Sequence, residues 1–224
     1  MKHLDETMIA MLQRQSQQAQ QTQENAAVGM TWQDFVEVRL DQPFVQVGRE
    51  TLSFQRYSLF EDQLSLVMPS MFKPMTPQMA ALKYPSERRP QLIYTNALST
   101  INVAFNHTAT PVRDKEIGEF TQGITQILRR TQKILKWYED GTVQSPEATV
   151  GYCEFVTPVM NGSIYNFMFF MSLEGRALMC TFNCLDQEMN DWRPIAKSMM
   201  ASLRLSDEEV SAELRGSRPG GAEA

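Results

Sequence analysis

Chemistry at neutral pH needs a placed acid, base, nucleophile or metal, and few residues here are suited to such roles. There are two histidines, His3 and His107. Neither has a partner at zinc-ligand spacing such as HExxH or a CxxC pair. His107, in Asn106-His107-Thr108, reads as a turn residue following a strand. Cys153, Cys180 and Cys184 make an odd set. The last two share one face of a strand but sit about 13 Å apart along it, too far for a disulfide. The three read as buried thiols of a reducing compartment, and Cys153 as core, with no histidine partner in the sequence. The acidic pairs Glu61-Asp62, Glu139-Asp140 and Glu208-Glu209 are neighbours on turns or the tail and read as solvated surface. No G-x-S-x-G elbow, Walker loop or GxGxxG is present. The expectation is a protein with no enzymatic activity, cofactor or metal.

Two segments hold residue types suited to binding. Met68, Met71, Phe72, Met75 and Met79 lie among prolines, and flexible methionines adapt to varied apolar partners. They could equally plug irregular gaps under a loop. Lys83-Tyr84-Pro85-Ser86-Glu87-Arg88-Arg89-Pro90 is a rigid basic run. In it Tyr84, Arg88 and Arg89 are of the types that anchor interfaces, against the simpler reading of a solvated charged loop.

These residues must be positioned by a chain of 224 residues with 42% apolar and 21% charged composition, ordinary globular values. A body of roughly 170 residues buries about 70% of its unfolded surface, enough to need no disulfide or metal. The net charge of −5 argues against nucleic acid and anionic membrane as main partners. The first residues have no apolar secretory core, and the stretch Ile164 to Cys184, broken by Asn166 and Glu174-Gly175-Arg176, cannot span a bilayer. A cytoplasmic location is expected.

Residues 1–30 read as a polar, glutamine-rich helical arm, 31–205 as the folded domain and 206–224 as a disordered tail. Within the domain, Thr51 to Phe60 and Gln63 to Met68 are strands, and five prolines between Pro69 and Pro90 leave little room for helix. Gln91 to Tyr94 and Ser99 to Asn106 are further strands. Apolar residues three and four apart from Ile117 to Leu135 predict one helix over 114–137. Thr149 to Val159, Ser163 to Leu173 and Arg176 to Asn183 form a meander through Asn161-Gly162 and Glu174-Gly175. A last helix carries Trp192, Ile195, Ala196, Met199 and Leu203 on one face. This order is that of an α+β domain with a twisted antiparallel sheet and helices packed on its faces. The strand from Ile164 to Met171 is apolar on both sides, so both sheet faces are covered or one awaits a guest.

The β pair ending SLVMPSMF, the INVAFN strand, the long helix, the VGYCEFVTPVMNGSIYNFMFFMSLEGRALMCTFNC meander and DWRPIAKSMMASLRL together resemble the PsbP-like family over about residues 50–205. That family also holds Mog-like Ran-binding proteins and effector-associated secretion chaperones. The resemblance implies a PsbP-like sandwich that docks on other proteins, with no catalytic residues to carry over. The leading expectation is a protein-binding module, an adaptor or chaperone sheltering an apolar peptide of a protein partner. The alternative is a small-molecule or lipid carrier with an apolar pocket between sheet and helix, beside Phe167 and Phe169. A third is a homo-oligomer assembled through the N-terminal arm.

Overall fold

A computed structural model describes residues 31–84 and 89–206. The arm over 1–30, Arg88 and the tail from 207 lie outside the described residues. The chain divides between Thr31 and Trp32, and the account below is of the second unit.

In chain order a 3-10 turn (Trp32–Phe35) precedes a small hairpin, β1 (Val45–Val47) and β2 (Glu50–Leu52). Then come β3 (Phe54–Leu59), β4 (Leu64–Pro69), β5 (Lys73–Pro74), α1 (Pro77–Lys83), β6 (Leu92–Thr95) and β7 (Asn102–Pro111). The helix α2 (Ile117–Thr131) leads to β8 (Lys136–Gln144), β9 (Thr149–Val159), β10 (Gly162–Leu173) and β11 (Arg176–Leu185). Last are α3 (Met189–Ala201) and β12 (Arg204–Leu205). A seven-stranded sheet runs β5-β6-β7-β11-β10-β9-β8, and a smaller one runs β12-β4-β3. Every pairing is antiparallel, so the architecture is the expected α+β one.

The doubly apolar strand explains the layering. On one face of β10, Phe170 packs with Cys153 and Phe155 of β9 against Phe120, Ile124 and Leu128 of α2. On the other, Tyr165, Phe167 and Phe169 are fully buried, and Trp192 of α3 stacks over Phe182 of β11 at 6.0 Å. Trp192 also stacks on Phe72 at 6.1 Å, which ties the end of the β4 turn into this core. Gly151 is what lets α2 approach β9: a Cβ there would lie 1.8 Å from Thr121 Oγ1.

Four readings change. The helix expected over 114–137 is a 3-10 turn (Asp114–Glu116) and α2, and residues 136–144 are the edge strand β8. Ile134 and Trp137 pack in the same cluster as the apolar face of α2, so the helical spacing runs on past the helix end at Gln132. The proline-rich segment does hold a helix, because Pro77 sits in the first turn of α1, where its missing N–H removes nothing, and Thr76 caps it by accepting from Met79 N at 3.3 Å. The β9–β10 turn is one residue earlier than expected, at Met160-Asn161, with Val159 opposite Gly162. His107 lies within β7, its ring Nε2 2.9 Å from the Leu173 carbonyl, and is not a turn residue.

Candidate functional site

The methionine-rich run is divided by the strand pattern. Alternation along β4 sends Met68 inward with Leu64 and Leu66, and all three are fully buried, as is Phe72. Met68 and Phe72 therefore belong to the core, and the expected surface role does not extend to them. Met71 and Met79 are exposed and Met75 is half-buried. Met75 and Tyr84 pack against Ala80, Ile93 and Ala104, which seats α1 on β6 and β7. Arg89 is half-buried, and Arg88 lies outside the described residues.

Seating α1 through Ala80 leaves its far side to solvent. Met79 and Leu82, three residues apart, share that side, and Leu82 is 81% exposed. The Lys83 ammonium donates to the Ser99 carbonyl, bringing the end of α1 to the β6–β7 turn. There Leu98 is also 81% exposed. Leu82 and Leu98 were not singled out by sequence, although Leu82 stands at the helical spacing from Met79.

Between α1 and α2 the sheet is incompletely covered. A cleft of about 280 Å³ opens there, with Phe155, Met168 and Leu128 against Asn166, Thr181 and Asn183. Tyr84 also lines it, and among the described residues its buried hydroxyl has no hydrogen-bond partner. Burial raises the Tyr84 phenol, and the adjacent Asn183 amide offsets part of that without completing a hydrogen bond. Phe167 and Phe169, where a carrier pocket was expected, point to the opposite face, where Phe167 packs on both Phe169 and Tyr152.

Ionisable groups converge under α3. Arg193 grips the fully buried Glu154 with both nitrogens of one edge of its guanidinium, Nε–Oε2 2.7 Å and Nη2–Oε1 2.5 Å. Tyr165 donates to Glu154 Oε2 at 2.6 Å. One helical turn on, Lys197 donates to Glu139 at 2.6 Å, with Glu154 and Glu37 each 3.6 Å away. Glu139 reaches this group because β8 bulges: Trp137 pairs with Phe155 and Glu139 with Glu154, leaving Tyr138 as the extra residue. Burial alone would raise Glu154, but hydrogen bonds from Arg193, Glu139 and Tyr165 and the charge of Lys197 hold it at about 2. Burial, then the shared hydrogen bond with Glu154, raises Glu139 against the pull of Lys197. Burial pushes Tyr152 up to about 12, helped by Glu139 and Glu154. Glu154 is thus a poor base and the tyrosines poor acids at neutral pH, and the group clamps α3 and the segment after Trp32 to the sheet. Sequence reasoning missed it because Glu154 lies in an apolar strand. The available signal was that lone acid, with Arg193 and Lys197 four apart on the last helix.

Burial likewise pushes Cys153 up to about 12, in keeping with a core thiol. Among the described residues no cluster of three or more His, Cys, Asp or Glu could hold a metal, and no helix is long and apolar enough to cross a membrane.

No protein-family model and no curated protein matches the chain. Among solved structures, it is similar to the cyanobacterial PsbP (CyanoP) of Synechocystis sp. PCC 6803, with a TM-score of 0.46 and 10% identity, covering 72% of this chain and 98% of that one. It is also similar to LpqN of Mycobacterium tuberculosis, involved in cell envelope biogenesis (0.44, 9% identity, 79% and 98% covered). The apo immunity protein TplEi of the T6SS from Pseudomonas aeruginosa is a third (0.37, 11% identity, 75% of each chain). One of these bears the PsbP name that the sequence resemblance anticipated. None of them bears a Mog-like or secretion-chaperone name, and at these scores nothing about activity or partners follows.

Proposed function

We propose that this protein is a non-catalytic protein-binding module that holds an apolar segment of a partner against α1 and the β6–β7 turn. The observation that carries the reading is that Leu82 and Leu98 are each 81% exposed and stand next in the chain to the Lys83–Ser99 contact. A lone exposed leucine needs no explanation, but grouped ones beside Met79 mark an interaction surface. Lys73 of β5 and Lys83 of α1 are exposed, which suits an apolar segment flanked by acidic residues. The test is the double variant Leu82→Asp/Leu98→Asp. It is expected to lose at least about ten-fold in partner capture, since each buried leucine contributes roughly 1.5–3 kcal/mol, while its thermal midpoint stays that of the parent. Unchanged capture by the folded variant would sink the proposal.

The carrier alternative draws on the cleft between α1 and α2. At about 280 Å³ it falls just below the range of roughly 300–1,000 Å³ in which drug-sized ligands are buried, and it is open, so the protein-binding reading is preferred. A lipid-like molecule retained in native mass spectrometry would reverse that preference. Self-association through residues 1–30 concerns a part of the chain outside the described residues.

A further inference from the structure

A second cleft, of about 300 Å³, lies between residues 36–41, the end of α3 and one face of the smaller sheet. Its apolar lining is Val36, Val38, Leu40, Val67 and Ala201, and three arginines, Arg39, Arg56 and Arg204, stand around it. Two of them have acids: Arg39 pairs at 2.9 Å with Asp41, which also lines the cleft, and Arg204 pairs with Glu147 at 3.6 Å. Arg56 has no acidic partner among the described residues. Its Nη1 donates to Ser65 Oγ at 3.0 Å and to the Ser202 carbonyl at 2.9 Å, capping the end of α3. Among the described residues its other two nitrogens, Nε and Nη2, make no hydrogen bond. Burial and then the like charge of Arg204 act against the Arg56 cation, with Glu147 a partial relief.

An Nε–Nη2 edge is the fork that receives a carboxylate through two parallel hydrogen bonds. Arg56 is exposed, and one guanidinium without an acid suits a single negative charge better than a dianionic phosphate. The apolar lining calls for an aliphatic body behind that charge. The negative end of α3 does not repel such a ligand, since the Ser202 and Leu203 carbonyls already accept from Arg56 and Arg204. We infer that this cleft binds a monocarboxylate carrying a short aliphatic chain, with Arg56 as its charge partner and Val38, Val67 and Ala201 against the chain.

The test is titration of the full chain with hexanoate, followed by NMR shifts of the Arg56 side chain and of the Val67 and Ala201 amides. N-acetyl-leucine, 1-hexanol and inorganic phosphate are run in parallel. Saturable shifts with hexanoate or N-acetyl-leucine, weakened by salt, are expected, and the tighter of the two tells a free acid from the C-terminus of a peptide. Arg56→Gln should weaken the acid about ten-fold or more and leave hexanol unaffected. Arg56→Lys, which keeps the charge and loses the fork, should weaken it less. Equal binding of hexanol and hexanoate, binding of phosphate alone, or no saturable shift in the folded protein would overturn the inference. None of these outcomes bears on Leu82 and Leu98.

Discussion

Glu154 is the residue whose removal should be felt most. Replacing it with Gln removes the buried charge between Arg193 and Lys197 and leaves Glu139 as their nearest acid beneath α3, and breaking a buried pair in this way costs roughly 3–5 kcal/mol. Arg193 keeps 34% of its side chain in water, which argues for the lower end, about 3 kcal/mol, measured by urea unfolding. The sign with pH follows from the carboxyl being held at about 2, below its ordinary 4.5. Its stabilisation is complete above 4.5 and is lost as pH falls toward 2. Glu139, displaced upward, acts in the opposite sense and lessens stability as pH rises above its ordinary value. Melting midpoints should therefore fall between pH 4.5 and 2, and Glu154→Gln should flatten that fall. At Tyr84 the expectation is a gain. Among the described residues its buried hydroxyl has no partner, so Tyr84→Phe should add about 1 kcal/mol to unfolding free energy. Phe72→Ala, by contrast, empties a site stacked on Trp192 and should cost about 3–5 kcal/mol, whereas Met71→Ala should be nearly neutral.

Whole elements show what the residue pattern reveals. The β9–β10–β11 meander was legible because long apolar runs end at or next to a glycine, and Glu174 and Gly175 both take positive φ, 51° and 69°, as a tight hairpin requires. The edge strand β8 was hidden because Ile134 and Trp137 extend the spacing of α2 and because the bulge at Tyr138 breaks strict alternation. The same bulge hid Glu139, which plain alternation would send to the α2 side. Helix α1 was hidden by its prolines, although Thr76-Pro77 is a cap followed by a first-turn proline. Removing that cap with Thr76→Ala should cost about 1 kcal/mol, seen as faster hydrogen exchange confined to α1. For the binding surfaces, residue type pointed to Met71, Met75 and Met79. It could not tell them from Met68 and Phe72, because inward and outward positions separate only once β4 and its turn are built. Contact between α2 and β9 depends on Gly151. Gly151→Ala should destabilise the domain, and Thr121→Ala added to it should restore only part, since Thr121 Cβ still lies 3.0 Å from the new methyl.

Across the whole molecule, the sheet joins a local meander to a distant partner, with β7 and β11 paired from Asn102–Asn183 to Pro111–Arg176. Such long-range pairing is entropically demanding. Hydrogen exchange should find the slowest amides in β9, β10 and β11 and faster ones in the β1–β2 hairpin and at the outer edge of β8. That outer edge has a further consequence. A sheet of seven strands ends in two open rims of unpaired backbone groups, each a template on which another chain could stack without limit. One rim, β5, is only two residues long and ends in Pro74. The other is long, but the extra Tyr138 kinks it, and Lys136, Glu139 and Asp140 dot it with charge. Deleting Tyr138 would straighten this rim while leaving Glu139 opposite Glu154. The deletion should yield a protein that scatters light at concentrations where the parent stays clear, so the kink that completes the buried clamp also keeps the sheet from growing into fibrils.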